Sequence, residues 1–124
     1  MQRESLLIAN PFKAYLKDKG WHVENVHGNQ FSALPFDCIA IHAKYSQKNI
    51  EFKVIEANGQ IKLSPLQKKK IPIWIANGGH IWVLAAPDLR GPENRLWRDK
   101  LYAKLFEPAN AAFYLMAKDR RLCL

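Results

Sequence analysis

Glu51 and Lys53 sit two residues apart inside the apolar run "IEFKVIE", and Asp37 opens an apolar segment, "DCIAIHAK", earlier in the chain. An acid and a base two apart on a strand project from the same face. A lone pair of this kind is usually a solvent-facing ion pair. A second carboxylate at Asp37 changes the chemistry available. Two carboxylates brought close repel, and a hard divalent cation that takes oxygen ligands relieves the repulsion. Such an ion polarises a phosphodiester and lowers the pKa of a bound water. An ammonium group beside that water can orient it and offset charge building on the phosphorane oxygens. Asp37, Glu51 and Lys53 therefore suffice for metal-assisted phosphodiester hydrolysis, with Mg²⁺ (or Mn²⁺) the best match because it keeps several waters and needs few protein ligands.

The elements that must position these groups read as follows. Residues 4–19 carry apolar side chains at helical spacing, interrupted at Asn10-Pro11, which predicts a kink or two short helices with Asn10 capping the second. "WHVEN" predicts a short strand. Residues 37–44 and "IEFKVIE" predict a hairpin turning through Tyr45–Asn49, with Ile50, Phe52 and Val54 on one face and Glu51, Lys53 and Ile55 on the other. A turn of that length puts Asp37 beyond Lys53, toward 55–57, unless a bulge or divergence shifts the strands. Ser64 as N-cap and Pro65 at the first helical position predict a helix start. Pro72 is expected to break or restart that helix, and Asn77-Gly78-Gly79 to close it. "HIWVLAA" reads as a buried strand, and a helical pair is expected at about 94–106 and 108–118. The order predicts one α/β (α+β) domain with a mixed sheet, its core at about 4–86 and a basic helical extension over 87–124.

Composition narrows the partners. The 124 residues carry a net charge of +8. Residues 1–60 hold 7 Lys/Arg against 6 Asp/Glu, whereas 61–124 hold 12 against 5. A basic half beside a neutral one suggests a polyanion partner, since many phosphate contacts add through counterion release. No apolar stretch is long enough to span a bilayer, and the N-terminus lacks a secretory apolar core, so no membrane partner is expected. Two cysteines, Cys38 and Cys123, without metal or redox spacing fit a reduced, cytoplasmic setting. His22, His27, His42 and His80 lack zinc-ligand spacing; His27 lies in the loop before Asp37, where a loop histidine without a substrate role is the simpler reading. No nucleophilic triad or Gly-rich phosphate loop is present.

The string "FD", a gap of 13 residues and then "EFK" resembles the PD-(D/E)XK nuclease signature, with Phe36 in place of its proline. "GWHVENVHGNQFSALPFDCIAIH", "IEFKVIEANGQIKLSPLQ" and "IANGGHIWVLAA" are similar in order and spacing to the VRR-NUC-like and Holliday-junction-resolvase-like branches, over about residues 4–86. The resemblance implies a restriction-endonuclease-like core and a metal-dependent endonuclease acting on DNA, with branched junctions among its substrates. It implies Asp37 and Glu51 as metal ligands, the Phe52 carbonyl completing the metal shell, Lys53 orienting the water, and Gln67 beside the active centre. Glu4 would match the acidic residue of the first helix, a further candidate metal ligand. That proline shapes a turn and binds no metal, so Phe36 leaves the reading intact.

Lys68, Lys69 and Lys70 place positive charge in the first turns of a helix, against its dipole, which phosphate contact would justify. With Lys62 and Ser64 they are candidate nucleic-acid contacts, as are Arg90, Arg95 and Arg98 farther on. Leu96, Leu101, Leu105 and Trp97 fit the core face of an amphipathic helix. Two-strand cleavage of a junction implies a symmetric homodimer, for which "AAFYLMA" is a candidate surface. The compact size fits a phage or mobile-element protein acting in a host cytoplasm. The competing readings are a catalytically inactive nuclease-like fold kept as a nucleic-acid-binding or inhibitor module, and a nuclease directed at RNA.

Overall fold

The alternation in "IEFKVI" resolves into the central strand of the sheet, with one apolar face and one that carries the charged pair. In the computed structural model, which describes residues 3–26, 34–109, 112–115 and 120–123 (the last two as backbone only), this strand is β3 (Tyr45–Val54). β1 (His22–Asn25) and β2 (Cys38–His42) pair antiparallel on one side of it. β4 (Trp82–Ala86) runs parallel on the other, Glu51 opposite Val83 and Lys53 opposite Ala85. This four-stranded mixed sheet is extended by β5 (Ala112–Leu115), parallel to β4, and β6 (Arg120–Cys123), so the spatial order follows the chain order. The α+β class expected from the pattern is the observed one.

Helices cover both faces. α1 (Asn10–Asp18) and α3 (Arg95–Lys104) bury Phe12, Leu16 and Leu101 against Ile50, Phe52 and Val54. α2 (Pro65–Ala76) covers the opposite face, where Ile71 and Trp74 meet Phe36, Ile81 and Val83. Burial of this order, about 1.5–3 kcal/mol per large apolar side chain, holds the three layers together.

Four expectations change. Asn10-Pro11 does not split the first helix, and Asn10 caps nothing with its side chain. Helical backbone runs from residue 3 to residue 18, with a π-helical turn over Ser5–Ala9 that absorbs the irregularity. Pro11 has no N–H to give the Leu7 carbonyl, and that carbonyl instead accepts from the Leu89 amide at 2.8 Å, tying the loop after β4 to the helix. Pro72 lies inside α2 without ending it. The segment expected as a helix at 108–118, part of the helical extension, contains β5: the open edge of β4 offers backbone partners to a run rich in Phe, Tyr and Leu, which favours strand. "AAFYLMA", considered as a dimer surface, thus places Ala112–Leu115 in the sheet, and its other residues lie outside the described ones.

α2 ends on Asn77, with Gly78 at φ +84°. A Cβ at Gly79 would clash with the Trp74 indole, whereas one at Gly78 meets nothing among the described residues. Gly79→Ala should therefore displace Trp74 from Phe36 and destabilise by about 1–3 kcal/mol. Gly78→Ala should lose only about 1–2 kcal/mol, from the left-handed backbone alone. Urea unfolding of the two variants checks both; a shift in the near-ultraviolet tryptophan signal is expected for Gly79→Ala only.

Candidate active site

The register of the β2–β3 hairpin decides whether Asp37 and Glu51 meet. A five-residue turn would carry Asp37 past Lys53. The chain instead reverses over Ala43-Lys44, with His42 opposite Tyr45 and a register irregularity between Ala40 and His42. Beyond it Ala40 faces Lys48 and Cys38 faces Ile50, which brings Asp37, one residue before the ladder begins, beside Ile50–Phe52 of β3. The charge of Asp37 acts directly on Glu51, so the two carboxylates are near neighbours. The Asp37 amide donates to the Ile50 carbonyl at 2.9 Å, and the Asp37 carboxylate accepts from the Phe52 amide at 2.8 Å. The side chain thus takes the place of a backbone carbonyl in the ladder at the point where β2 begins. The N–H and C=O of one strand residue point the same way, so the Phe52 carbonyl is directed to the same edge as Asp37.

Glu51 and Lys53 are almost sealed from solvent, at 2% and 5% exposure. This excludes the surface ion pair. Their charged ends lie 3.6 Å apart. Gln67 donates from Nε2 to Glu51 Oε2 at 2.5 Å. That amide is oriented by the helix start: Gln67 Oε1 accepts from the Ser64 amide at 3.0 Å, and the Gln67 amide donates to Ser64 Oγ at 3.1 Å. The capping box that begins α2 therefore aims a donor at Glu51, and Ser64 acts on the site through Gln67. Burial, then the charge of Asp37, pushes the Glu51 carboxyl well above the usual range, against the opposing pull of Lys53.

Glu4 joins from the opposite layer. Because the π turn lets the helix run on to residue 3, the Glu4 carboxylate reaches the end of β3, 3.9 Å from Lys53 Nζ and 3.4 Å from the Val54 amide. Glu4, Lys53, Lys62 and Ser64 line a cleft of about 390 Å³ with Arg3 and Glu56. Arg3 and Glu56, joined at 3.1 Å, carried no local signal in the sequence, being 53 residues apart. The cleft opens at the C-terminal end of the parallel pair β3–β4, the end at which open sheets commonly bind ligands.

Among the remaining candidates, Lys68 and Lys69 are exposed on the first turns of α2, and Lys70 is half-buried farther along it. The three arginines are not brought to the cleft. Arg90 pairs with Asp88 at 3.1 Å, and Arg95 with Asp99 at 3.9 Å. Arg98 donates to the Leu89 and Gly91 carbonyls at 2.8 and 2.7 Å, bracing the loop into α3. His27 lies outside the described residues. Cys38 is fully buried, and burial pushes its thiol up to about 12, which keeps it protonated and unreactive.

Glu51 Oε1 is buried and, among the described residues, accepts no hydrogen bond. A buried carboxylate oxygen without a donor is costly, and a cation is the partner that suits it. With Asp37 alongside and the Phe52 carbonyl on the same edge, the donor set is all oxygen and fits a small hard dication. Among the described residues no three carboxylate, imidazole or thiolate groups form a complete cage, so such an ion would rest on two carboxylates and keep waters. No helix among the described residues is long and apolar enough to cross a membrane. Compared with family models, curated proteins and solved structures, the chain matches none.

The raised Glu51 group has a thermodynamic signature. In chelator, the folded protein holds a proton on Glu51 at pH values where the unfolded chain, near 4.5, has released it. This contribution is complete below the unfolded value and disappears as pH rises through the folded one. The melting temperature of the metal-free protein should fall over that window, and Glu51→Gln should flatten the fall. An unchanged slope in Glu51→Gln contradicts the placement of Glu51.

Proposed function

We propose that this protein is a metal-dependent endonuclease that hydrolyses phosphodiester bonds in DNA. The observation that carries the reading is the meeting of Asp37, Glu51 and Lys53 where β2 begins and β3 nears its end, with Glu51 Oε1 buried and lacking a hydrogen-bond donor among the described residues. The resemblance of the Asp37–Lys53 and Ser64–Gln67 segments to PD-(D/E)XK nucleases of the VRR-NUC and junction-resolvase-like branches supports it further.

Asp37, Glu51 and the Phe52 carbonyl would hold Mg²⁺ or Mn²⁺, which supplies a neutralising charge for the phosphate and a water of lowered pKa. Gln67 keeps Oε2 of Glu51 engaged, so that Oε1 is the oxygen left to face the ion. Lys53, held by Glu51 and Glu4, keeps its ammonium group in a water-poor setting, where it stabilises developing negative charge more strongly than at the surface. Lys62 at the cleft, and Lys68 and Lys69 on the first turns of α2, offer phosphate contacts. Arg90, Arg95 and Arg98, engaged elsewhere, belong to a separate surface if they touch DNA at all. Branched substrates and a homodimer with two such sites remain part of the proposal, as does action in a host cytoplasm.

A second reading has its own observation. Asp37 already serves as a ladder cap for Phe52, and Glu51 is already held by Gln67 and Lys53, as in a nuclease-like module that binds nucleic acid or an inhibitor target without cleaving. Cleavage separates the two. With Mg²⁺ and labelled four-way junction, duplex and single-stranded DNA, the protein should cut at least one substrate. Asp37→Asn, Glu51→Gln and Lys53→Met should each lower the rate by about a hundredfold or more, the scale for removing a charge-stabilising group. Binding should persist in all three. Cutting that survives all three changes contradicts the assignment, and binding without cutting of any DNA or RNA favours the inert module.

A further inference from the structure

The pole of the sheet opposite the cleft carries a different set of side chains. At the β2–β3 turn, Tyr45 stacks on Trp21 (centroids 5.7 Å apart, planes at 17°) and meets Phe106 edge-on at 5.0 Å. Tyr45 and Phe106 are nonetheless 45% and 46% exposed. Large apolar side chains gathered at a surface mark an interaction site rather than a core.

Three lysines lie around these rings. Lys48 is only 6% exposed, its ammonium 4.6 Å from the centre of the Trp82 ring and 5.7 Å from that of Phe106, with Ser46 Oγ as its hydrogen-bond acceptor. Lys19 lies over Tyr15 and Tyr102 at 5.1 and 5.2 Å, and Lys44 is exposed in the turn itself. Among the described residues no carboxylate pairs with Lys19, Lys44 or Lys48. Glu107, the nearest acid in the chain to Phe106, is engaged with Lys104 at 3.5 Å. The cations sit against ring faces instead, which holds aromatic surface and positive charge together.

The geometry points to this patch as a binding platform for an unpaired stretch of polynucleotide, with bases stacking on Tyr45 and Phe106 and phosphates meeting Lys44 and Lys19. Rings that accept any base face, flanked by uncompensated cations, are what a flexible polyanion with flat apolar groups requires. A purely apolar protein partner would leave three ammonium groups without counter-charge, and a duplex hides its base faces. β3 spans the distance between the two poles: from Tyr45 to Val54, nine steps at about 3.3 Å give roughly 30 Å. A substrate with a single-stranded arm could therefore engage the platform while its scissile bond lies in the cleft. The platform stands apart from the hydrolytic reading, because its binding involves none of Asp37, Glu51 or Lys53.

The test is a binding titration in EDTA, so that cleavage plays no part, using labelled oligodeoxythymidylate of about 20 nucleotides and a blunt duplex of equal length. Tyr45→Ala with Phe106→Ala should weaken the single strand by about tenfold or more and leave the duplex unchanged. Tyr45→Trp, which keeps a ring, should retain the affinity of the unaltered protein. Lys44→Ala should lower the salt slope for the single strand by about 0.7. Single-strand affinity untouched by the double change overturns the proposal, as does equal loss for duplex and single strand. It is overturned equally if Tyr45→Trp binds as weakly as the double variant, or if the double change alters only the oligomeric state seen by sedimentation, which would assign the rings to a second copy of the chain.

Discussion

Burying charge at the end of a β-strand is the constraint around which the rest of this structure is arranged. Glu51 and Lys53 lie on the sheet face covered by α2, nearly without solvent, and each needs partners that water no longer supplies. Each partner comes from a different element. Asp37 arrives by the hairpin register, Gln67 by the capping box of α2, and Glu4 by a helix that continues past a proline through a π turn. A shift of the hairpin by one residue would send Asp37 to the other face. Loss of the Ser64–Gln67 reciprocity would free the amide that holds Glu51. The arrangement stands or falls as a unit.

Among the described residues, these partners still leave one oxygen, Glu51 Oε1, without a hydrogen bond. Native interiors rarely tolerate such a group without a functional reason. The neighbouring Asp37 makes two charges there costly, so Glu51 is driven toward its protonated form, a condition that a hard cation would also resolve. The crowding that destabilises the charged site is what the proposed ion would relieve.

Much of this was legible in the residues, and the limits have physical causes. The alternation through Ile50–Ile55 correctly separated the apolar face from the charged one, because period-two burial is a local property. Ser64, Pro65 and Gln67 announced the start of α2, since caps are written within four residues. The meeting of Asp37 with Glu51 was not derivable, because it depends on whether the chain reverses over two residues or five, and "AKYSQKN" contains no glycine or proline to decide. The resemblance to PD-(D/E)XK nucleases supplied that expectation where the spacing alone did not. Pro11 and Pro72 misled in the same way. Each lacks one hydrogen bond, and tertiary packing kept the helix on course, with the loop at Leu89 taking up the carbonyl that Pro11 left. The C-terminal segment was misread as helix because its true partner, the edge of β4, is distant in sequence. Lys48 carried no signal at all; its burial arises from Trp82 and Phe106, far along the chain.

The central claim is that the two carboxylates share one hard cation, and calorimetric titration of the chelator-stripped protein with Mn²⁺ tests it most directly. The account predicts saturable uptake of a single ion per chain near neutral pH, abolished by Asp37→Asn and by Glu51→Gln while both variants keep the melting profile of a folded domain. Uptake that is absent from the unaltered protein, or that persists in both variants, would contradict it.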